Sequence, residues 1–126
     1  MKEIINTNSA PAPIGPYSQA VKAGGHLYVS GQIAIEPSTN ELLLGTIEEE
    51  TQLVMQHLAN ILKAANYEFT DVIKTTIFLS DMELFPKVNA IYGHYFKTNP
   101  PARETVAVKG LPKNVNVEIS LIAYKE

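Results

Sequence analysis

The amino-acid sequence predicts an α+β fold in which two helices lie on one face of a mixed β-sheet. Two long segments repeat apolar residues at helical spacing, and several shorter ones are rich in β-branched residues or alternate apolar with polar positions. The elements follow one another as strands, helix, strand, helix, strands, an order typical of this class. The 126 residues suffice for one domain, residues 1–126, with one core.

The N-terminal part of the chain predicts a loop followed by a β-hairpin. Prolines and a glycine concentrate in residues 8–17 and favour an ordered, extended loop. Gln19–Ala23 and His26–Ile33 have the composition of two strands, and Gly24 and Gly25 between them suit a tight turn. The chain therefore enters the sheet through a proline-rich lead-in.

The first helix is the best-marked element of the sequence. Apolar residues recur at helical spacing from Thr46 to Ala65 and form one stripe. Thr46 and Glu49 have the spacing of a capping box, and the glutamates at 48–50 complement the positive end of the helix dipole. Asn66 is suited to the left-handed conformation that ends a helix.

A strand and a second helix follow. Asp71–Ser80 is rich in β-branched residues. Asp81 is a candidate cap for the next helix, Pro86 fits only its first turn, and residues 99–101 would stop it. The alternating strand positions are Ile73, Thr75, Ile77 and Leu79, and the helical stripe is Val88, Ile91, Tyr92, Tyr95 and Phe96.

The last two predicted strands leave one face of the sheet uncovered. They are Thr105–Lys109 and Asn116–Tyr124. If both helices cover one face, the alternation of strands still places apolar side chains on the other. These include Val106, Val108, Ile122 and Tyr124. A monomer rarely exposes such a patch, so we expect a homo-oligomer whose subunits pack sheet against sheet.

Composition excludes several classes of function. The net charge is −3 and the basic residues are scattered, a pattern that argues against binding to nucleic acid or to an acidic membrane. The absence of cysteine excludes disulfides, thiolate nucleophiles and thiolate metal sites. No segment resembles a signal peptide or a membrane span, so we expect a cytoplasmic protein.

The histidines and serines do not form recognisable catalytic motifs. His26, His57 and His94 lack metal-ligand spacing, so no metal is expected, and His57 falls off the apolar stripe of its helix and should face solvent. No serine lies in a G-x-S-x-G context, and neither a phosphate-binding loop nor a dinucleotide fingerprint is present. A hydrolase with a covalent nucleophile is therefore not expected.

Arg103 and Glu118 are the first candidates for chemistry. Arg103 follows two prolines at the start of a predicted strand, and Glu118 lies within an apolar strand, where a carboxylate is costly unless paired, hydrogen-bonded or placed at a wet cleft. The two could form a structural ion pair. Alternatively, Arg103 could clamp the carboxylate of a ligand, a geometry that a guanidinium suits.

Gly31, Ser30 and Tyr17 are further candidates, each with a structural alternative. Gly31 interrupts a strand of β-formers and so permits a close approach, either by a ligand or at a β-bulge. Ser30 offers a hydroxyl beside it. Tyr17 could line a site or be an ordinary core aromatic with its hydroxyl at the edge.

Six motifs occur in order between about Ile14 and Ile122. They are IGPYSQAV, YVSGQI, DVIKTTIFLSDM, FPKVNAIYGHYF, PPARETVAV and LPKNVNVEI. Together they resemble the reactive-intermediate (imine/enamine) deaminase family, also called the YjgF-like family. The resemblance implies a chorismate-mutase-like α+β fold and a homotrimer with three clefts between subunits.

The resemblance also implies a reaction without cofactor or metal. Members hydrolyse 2-imino acids, chiefly 2-iminobutanoate and 2-iminopropanoate, to 2-oxo acids and ammonia; pyridoxal-phosphate enzymes acting on threonine or serine release these imines. By the same resemblance, Arg103 binds the substrate carboxylate and Glu118 serves the attacking water. Tyr17, Ser30, Gly31 and Asn89 line the cleft, where Tyr17, Ser30 and backbone N–H groups would stabilise the shifting charge.

The chain departs from the family pattern at two places that bear on substrate range. Glu104 and Thr105 replace the small residues or cysteine found in many members, and the loop 36–45 lacks a glycine often found near Asn40. Two other functions remain open. One is non-catalytic binding of small 2-oxo or amino acids, and the other is a ribonuclease or translation inhibitor, which the acidic balance disfavours.

Overall fold

The computed structural model describes residues 1–126 and contains eight β-strands and two α-helices. The strands are β1 Lys2–Ile5, β2 Ala20–Ala23, β3 His26–Gln32, β4 Ile35–Glu36, β5 Glu41–Leu42, β6 Val72–Leu79, β7 Ala102–Ala107 and β8 Val117–Tyr124. The helices are α1 Ile47–Ala64 and α2 Phe85–Gly93, and short 3₁₀ turns occupy Phe69–Asp71, Met82–Leu84 and Pro112–Asn114.

Six strands form one mixed sheet, and the predicted α+β class is confirmed. The order across the sheet is β1-β2-β3-β8-β6-β7, and only β6 and β7 run parallel. The connection between these two contains α2, as a parallel pair requires a long crossover. Strand β1 was not predicted, because three of its four residues are exposed and its sequence carries no apolar alternation.

The core lies between the helices and one face of the sheet. Both helices contribute to a single buried cluster with β3, β6 and β8, so both cover the same face, as predicted. Each large apolar side chain buried there contributes about 1.5–3 kcal/mol relative to exposure. Members without solvent exposure include Leu27, Leu58, Ile61, Ile77, Val88 and Ile119.

The predicted ends of α1 are confirmed in atomic detail. Thr46 Oγ1 accepts a hydrogen bond from Glu49 N at 3.1 Å, and Glu49 Oε1 accepts one from Thr46 N at 2.9 Å. At the other end Ala65 is the cap residue, and Asn66 follows it with φ of 64°. Local sequence signals therefore set both ends of this helix.

Helix α2 is shorter than predicted. Asp81 caps the 3₁₀ turn that precedes it, accepting a hydrogen bond from Glu83 N at 2.8 Å, and the helix ends at Gly93. Tyr95 and Phe96 therefore lie beyond the helix, although both pack against Phe69 at ring separations of 5.1 and 5.3 Å. An aromatic cluster, not a helical stripe, explains their apolar character.

Strand β7 begins three residues earlier than predicted and contains Arg103. Its parallel register with β6 pairs Arg103 with Thr75 and Thr105 with Ile77. This pairing joins residues far apart in the sequence, so the local pattern did not reveal it. On β6 itself, a register shift between Val72 and Lys74 turns Ile73 outward, where it is 48% exposed instead of following the predicted alternation.

The prediction for His57 was wrong, because this side chain is buried. It is 1% exposed, and Nε2 lies 2.8 Å from the carbonyl oxygen of Ile35. The stripe of α1 is wide enough to bury His57 because the segment around β4 packs over that side of the helix. Burial lowers the pKa of His57, and the hydrogen bond to the backbone of Ile35 opposes this effect.

The sheet face opposite the helices carries exposed apolar side chains, as predicted. Tyr28, Val106 and Tyr124 are 48%, 47% and 40% exposed, and Ile122, the register partner of Tyr28, is half-buried. Val108 does not belong to this patch, because it follows β7 and packs against a small second cluster. We call the exposed set, Tyr28, Val106, Ile122 and Tyr124, the open-face patch.

Candidate active site

A cavity of about 360 Å³ lies at one end of β3 and β8. Its walls come from the proline-rich loop, β3 and the segment after it, the turn at Pro112, and β8. Four of the six predicted site residues line it, namely Tyr17, Ser30, Gly31 and Glu118. Ile14, Ile33 and Ile35 provide apolar walls. The cavity thus combines one carboxyl group, two hydroxyl groups and an apolar lining.

Glu118 and Gly31 fit against each other in the wall of this cavity. A methyl group on Gly31 would lie 2.6 Å from Glu118 Oε2 and 2.7 Å from Cδ, closer than atoms pack. Gly31 also lies in the irregular pairing of β3 with β8 between Val29 and Gln32. The glycine therefore does mark a bulge, and the group that approaches it is the Glu118 side chain.

The environment of Glu118 alters its acidity. Burial raises the pKa of Glu118 above its ordinary value, because a desolvated carboxylate is less stable than a desolvated acid. Glu118 forms no ion pair within the chain, whose one salt bridge joins Lys74 to Glu104 at 2.8 Å. The structural ion pair between Arg103 and Glu118, one of the two alternatives, is therefore not formed within a chain.

Gln19 holds the proline-rich loop in place, a role that the sequence analysis missed. The side chain is 2% exposed, and its oxygen accepts a hydrogen bond from Thr7 N at 2.7 Å. Its nitrogen donates to the carbonyl oxygens of Thr7 and Pro11 at 3.0 and 2.9 Å. The side-chain amide of Gln19 thus provides hydrogen-bond partners for several backbone groups of the loop. The signal in the sequence that could have indicated this role is the polar character of a residue directly before a strand.

The two hydroxyl groups of the cavity differ in what they can donate. Ser30 Oγ donates to the carbonyl oxygen of Ser18 at 2.6 Å, so its proton is already used. Tyr17 is 50% exposed, and its hydroxyl oxygen accepts a hydrogen bond from Ile14 N at 3.3 Å. The Tyr17 hydroxyl proton has no partner within the chain, so it remains able to donate into the cavity.

Arg103 and Asn89 form a separate cationic group near α2. Arg103 Nη1 donates to Asn89 Oδ1 at 2.7 Å. The guanidinium carbon lies 5.2 Å from the ring centroid of Phe85 and 5.0 Å from that of Tyr92, within the range of cation–π attraction. Arg103 is exposed and unpaired by any carboxylate. Its remaining N–H donors are therefore available to an anion.

Arg103 and Glu118 lie on opposite faces of the sheet. Arg103 is the register partner of Thr75, which is buried under α2, so its side chain lies on the helix face. Glu118 is the register partner of Phe78, which points away from its buried neighbour Ile77 and so lies on the other face. The Arg103–Asn89 pair and the Glu118 cavity are therefore separate within a single chain, and we call them the two candidate half-sites.

The positions where the chain departs from the family pattern lie near these half-sites. Glu104 pairs with Lys74 on the face opposite the helices, and Thr105 Oγ1 is buried without a hydrogen-bond partner on the side of Arg103. The 36–45 loop forms the ribbon of β4 and β5, where Asn40 has φ of 61°. Asparagine tolerates this left-handed conformation better than most residues other than glycine.

Potential metal ligands are not clustered in the structure. No three His, Cys, Asp or Glu side chains are grouped so that they could hold a metal ion. Neither helix combines the length and the apolar character needed to cross a bilayer.

The chain is similar to several known proteins over its full length. The family model described as endoribonuclease L-PSP matches residues 7–125. A RutC family protein of Pyrococcus horikoshii is 52% identical over 126 residues, which cover 100% of both chains. The human protein named 2-iminobutanoate/2-iminopropanoate deaminase is 45% identical over 125 residues, covering 99% of this chain and 91% of its own.

Two solved structures show the same architecture. A putative endoribonuclease from Thermotoga maritima superposes with a TM-score of 0.98 at 50% identity, covering 100% of this chain and 99% of its own. The structure of TdcF of E. coli with bound serine has a TM-score of 0.93 at 35% identity, covering 98% of this chain and 99% of its own.

Proposed function

The chain belongs to the reactive-intermediate deaminase (YjgF/RidA) family, whose model also carries the description endoribonuclease L-PSP, and we propose that it is a 2-iminobutanoate/2-iminopropanoate deaminase. The reaction adds water to a 2-imino acid and yields a 2-oxo acid and ammonia. Relatives from human, mouse and rat bear this name at 45–46% identity. The substrate range of this chain is part of the proposal.

The proposed assembly is a homotrimer of chorismate-mutase-like subunits with a cleft at each subunit boundary. Two observations support association of subunits, and the number three comes from the family resemblance. The open-face patch leaves apolar side chains exposed, and such a surface favours association. Arg103 and Glu118 lie on opposite faces of each sheet, so a complete site needs the Arg103 half of one subunit beside the Glu118 half of the next.

In this cleft Arg103 would bind the substrate carboxylate. A guanidinium offers two parallel N–H donors that match a carboxylate, and such charge-assisted hydrogen bonds are worth about 1.5–3 kcal/mol. Asn89, Phe85 and Tyr92 hold the guanidinium in one orientation. Arg103 would therefore fix the imine carbon relative to the cavity of the neighbouring subunit.

Glu118 would then govern the water. The protonated imine is already an electrophile, so the enzyme needs no covalent nucleophile. Glu118 takes a proton from water while the water oxygen forms a bond to C2. The electron pair of the C=N double bond moves to nitrogen, which gives a carbinolamine. Glu118 returns the proton to nitrogen, and the C–N bond breaks so that ammonia leaves with the bonding electron pair. The remaining hydroxyl then gives its proton to Glu118, which forms the 2-oxo acid, and the proton passes to ammonia as ammonium. The raised pKa of Glu118 brings its proton affinity closer to that of the groups it exchanges with.

The other cavity residues would provide shape and polarity. The Tyr17 hydroxyl has a free proton to donate to oxygen or nitrogen at C2. Ser30 can offer only a lone pair, because its proton is held by Ser18, so its expected part in charge stabilisation passes to Tyr17 and to backbone N–H groups. Gly31 leaves room for the Glu118 carboxyl.

The observation that carries the proposal is the Glu118 carboxyl in the wall of a cavity of about 360 Å³, with its pKa raised by burial. A carboxyl with a perturbed pKa in a cleft is a typical general acid or base. Ile33 and Ile35, both buried, form the apolar side of the cavity.

The test supplies the imine with a threonine dehydratase acting on threonine, in the presence of an imine trap. The protein should accelerate release of ammonia and 2-oxobutanoate. Arg103→Ala should abolish the acceleration, and Glu118→Ala should lower kcat at least about a hundredfold, the size of a lost general base. Glu41→Ala, at an exposed carboxylate on β5, is the matched control. No acceleration by the wild-type protein would refute the proposal.

The pH profile adds a second arm to that test. If ionised Glu118 is the base, kcat/KM should fall as the pH is lowered through its raised pKa, so the acid limb should lie above the ordinary value of 4.5. A profile without this limb would assign the base to another group.

A second candidate function is binding of small amino or oxo acids without turnover. The solved structure of E. coli TdcF with bound serine favours this possibility in a relative. Calorimetric titration with 2-oxobutanoate separates the two functions, since binding that depends on Arg103 without any turnover of imine would support the binder.

The family description also names an endoribonuclease. The net charge of −3 gives no electrostatic attraction to RNA, so we rank this activity third. Cleavage of RNA by the purified protein, if it is lost in Glu118→Ala, would support the endoribonuclease activity.

A further inference from the structure

Glu50 is a buried carboxylate that no part of the proposed mechanism uses. It lies in the first turn of α1 and is 5% exposed. Its Oε2 accepts hydrogen bonds from Asn116 N at 2.8 Å and Val117 N at 3.2 Å, and its Oε1 accepts one from Asn116 Nδ2 at 3.0 Å. These bonds join α1 to a segment 66 residues away in the chain. Three donors compensate the carboxylate for its lost hydration.

The segment that Glu50 holds needs an anchor. Lys113 and Asn114 have φ of 56° and 57°, a left-handed conformation that strains residues other than glycine. Asn116 is also bonded to the end of β6, because its Oδ1 accepts from Ser80 Oγ and its carbonyl oxygen from Ser80 N, both at 3.0 Å. Glu50, Asn116 and Ser80 together fix the point where the chain enters β8.

This entry point lies between two parts of the cavity wall. Pro112 lines the cavity before it, and Glu118 lines the cavity two residues after it. The Glu118 carboxyl has no hydrogen-bond partner within the chain to orient it, and it fits against Gly31 without spare room. The path of the β8 backbone therefore decides where this carboxyl lies. A small displacement of the backbone at Asn116 would move it directly.

We propose that Glu50 is a positioning residue, whose carboxylate fixes the start of β8 and thereby holds the Glu118 carboxyl against Gly31, where water is to be activated. The kinetic part of this inference rests on the proposed deaminase function. Glu50 does not line the cavity, and its hydrogen bonds go to Asn116 and Val117, not to β7, which carries Arg103. Its loss should therefore impair the chemical step and spare binding of the substrate carboxylate.

The kinetic test compares variants at neighbouring positions in the first turn of α1. Glu50→Ala should lower kcat roughly ten- to a hundredfold, the effect of a displacement of about 1 Å in a catalytic group, and leave KM within about twofold. Glu50→Gln keeps one acceptor oxygen for the N–H groups of Asn116 and Val117 but places its own amide nitrogen against the Asn116 amide nitrogen, so it should recover only part of kcat. Glu49→Ala removes the hydrogen bond to Thr46 N, destabilising the same turn without touching β8, and should keep wild-type kcat.

A charge-swap pair tests the contact even if Glu50→Ala does not fold. Asn116→Asp places a second carboxylate against Glu50 and should lower kcat by a similar factor. In the double variant Glu50→Gln with Asn116→Asp, the amide at position 50 can donate a hydrogen bond to the carboxylate at position 116. The double variant should therefore return kcat to within about threefold of wild type, as expected for directly coupled residues. Absence of this recovery, or an equal loss of kcat in Glu49→Ala, would overturn the proposal.

A spectroscopic readout separates this inference from the proposed function. The carboxyl carbon of Glu118, assigned with Glu118→Gln, can be titrated by NMR in ¹³C-labelled protein; Tyr17 is the other ionisable side chain lining the cavity. The midpoint should lie above 4.5 in the wild-type protein and move down toward it in Asn116→Asp, because hydration of the displaced carboxyl outweighs the opposing effect of the added negative charge. An unchanged midpoint would refute the positioning role, whether or not the protein deaminates imines.

Discussion

Gly31 shows how one residue sets the geometry of the cavity. The position lies in a strand, where glycine has no packing advantage, and the space that a side chain would take is filled by the Glu118 carboxyl. The raised pKa of Glu118 arises from this close burial. Gly31 therefore determines where the Glu118 carboxyl can lie.

We expect Gly31→Ala to lower kcat at least about tenfold while leaving thermal stability nearly unchanged. The added methyl group would lie 2.6 Å from Glu118 Oε2 and must push the carboxyl away. Displacing the Glu118 carboxyl costs stability, whereas alanine stabilises the fold by about 0.4–1 kcal/mol because it lowers the conformational entropy of the unfolded chain, so the two stability effects oppose each other. Kinetics and thermal melts of the same samples measure both effects.

Gly93→Ala is the matched control for this substitution. Gly93 is the last residue of α2, and a methyl group there would meet no atom within 4 Å. It should keep wild-type kcat. Wild-type activity in Gly31→Ala would show instead that the exact position of Glu118 is unimportant.

At the scale of elements, α1 supports the cavity from behind. His57 on this helix contacts the carbonyl oxygen of Ile35, and Ile35 lines the cavity. Glu50, two turns earlier, holds the start of β8. The helix thus connects to two walls of the cavity through buried polar side chains, while its apolar stripe packs on the sheet.

We expect acidification to destabilise the protein through His57. Burial lowers the pKa of His57 in the folded state below its ordinary value of 6.5, so the unfolded chain binds the proton more tightly. The contribution of neutral His57 to stability is therefore complete above pH 6.5 and is lost as the pH falls through the lowered folded-state pKa. Thermal melts between pH 7.5 and pH 5 would measure it.

His57→Gln provides the comparison, since glutamine can still donate a hydrogen bond to Ile35 but does not titrate. The wild-type melting temperature should fall more on acidification than that of His57→Gln. Equal pH dependence in the two proteins would show that His57 does not titrate differently in the folded and unfolded states.

At the scale of the whole molecule, the sheet separates the two half-sites. Arg103 lies on the helix face near one edge of the sheet, and the Glu118 cavity lies on the other face. The open-face patch adds an apolar surface on that second face. Under the proposed function, these two groups are parts of one site that only assembly of subunits can join.

We expect two inactive variants to restore activity when they assemble together. Arg103→Ala retains the Glu118 half and Glu118→Ala retains the Arg103 half, so a cleft between one subunit of each kind, in the right order, is intact. Random mixing in equal amounts should give about a quarter of the wild-type activity. Each cleft in a closed ring needs an intact Arg103 from one subunit and an intact Glu118 from its neighbour, and each of these is present in about half of the subunits. The restored activity is measured by comparing mixtures of the two variants that were refolded together with mixtures of variants that were refolded separately.

The double variant Arg103→Ala with Glu118→Ala, mixed with wild type, is the control for this experiment. It lowers activity by dilution and cannot add intact clefts. A mixture of the single variants that remains inactive, although sedimentation shows mixed oligomers of the 13.8 kDa chain, would contradict a site shared between subunits.

The sequence by itself determined the elements whose signals are local. The capping box of Thr46 and Glu49, the left-handed Asn66, the turn at Gly24 and the strand that carries Glu118 were all predicted. Each depends on residues within about one turn of helix or along one strand, and the periodicity of apolar residues identifies the face that each element buries. The α+β class followed from the order of these elements.

Only the tertiary structure decided how distant segments meet. The parallel register that draws Arg103 into β7, the burial of His57 and the clamps made by Gln19 and Glu50 each join residues far apart in the chain. The physical reason is that a buried polar group is satisfied by whichever partner the fold brings near, and no local pattern specifies that partner. For the same reason, the placement of Arg103 and Glu118 on opposite faces became visible only with the sheet assembled.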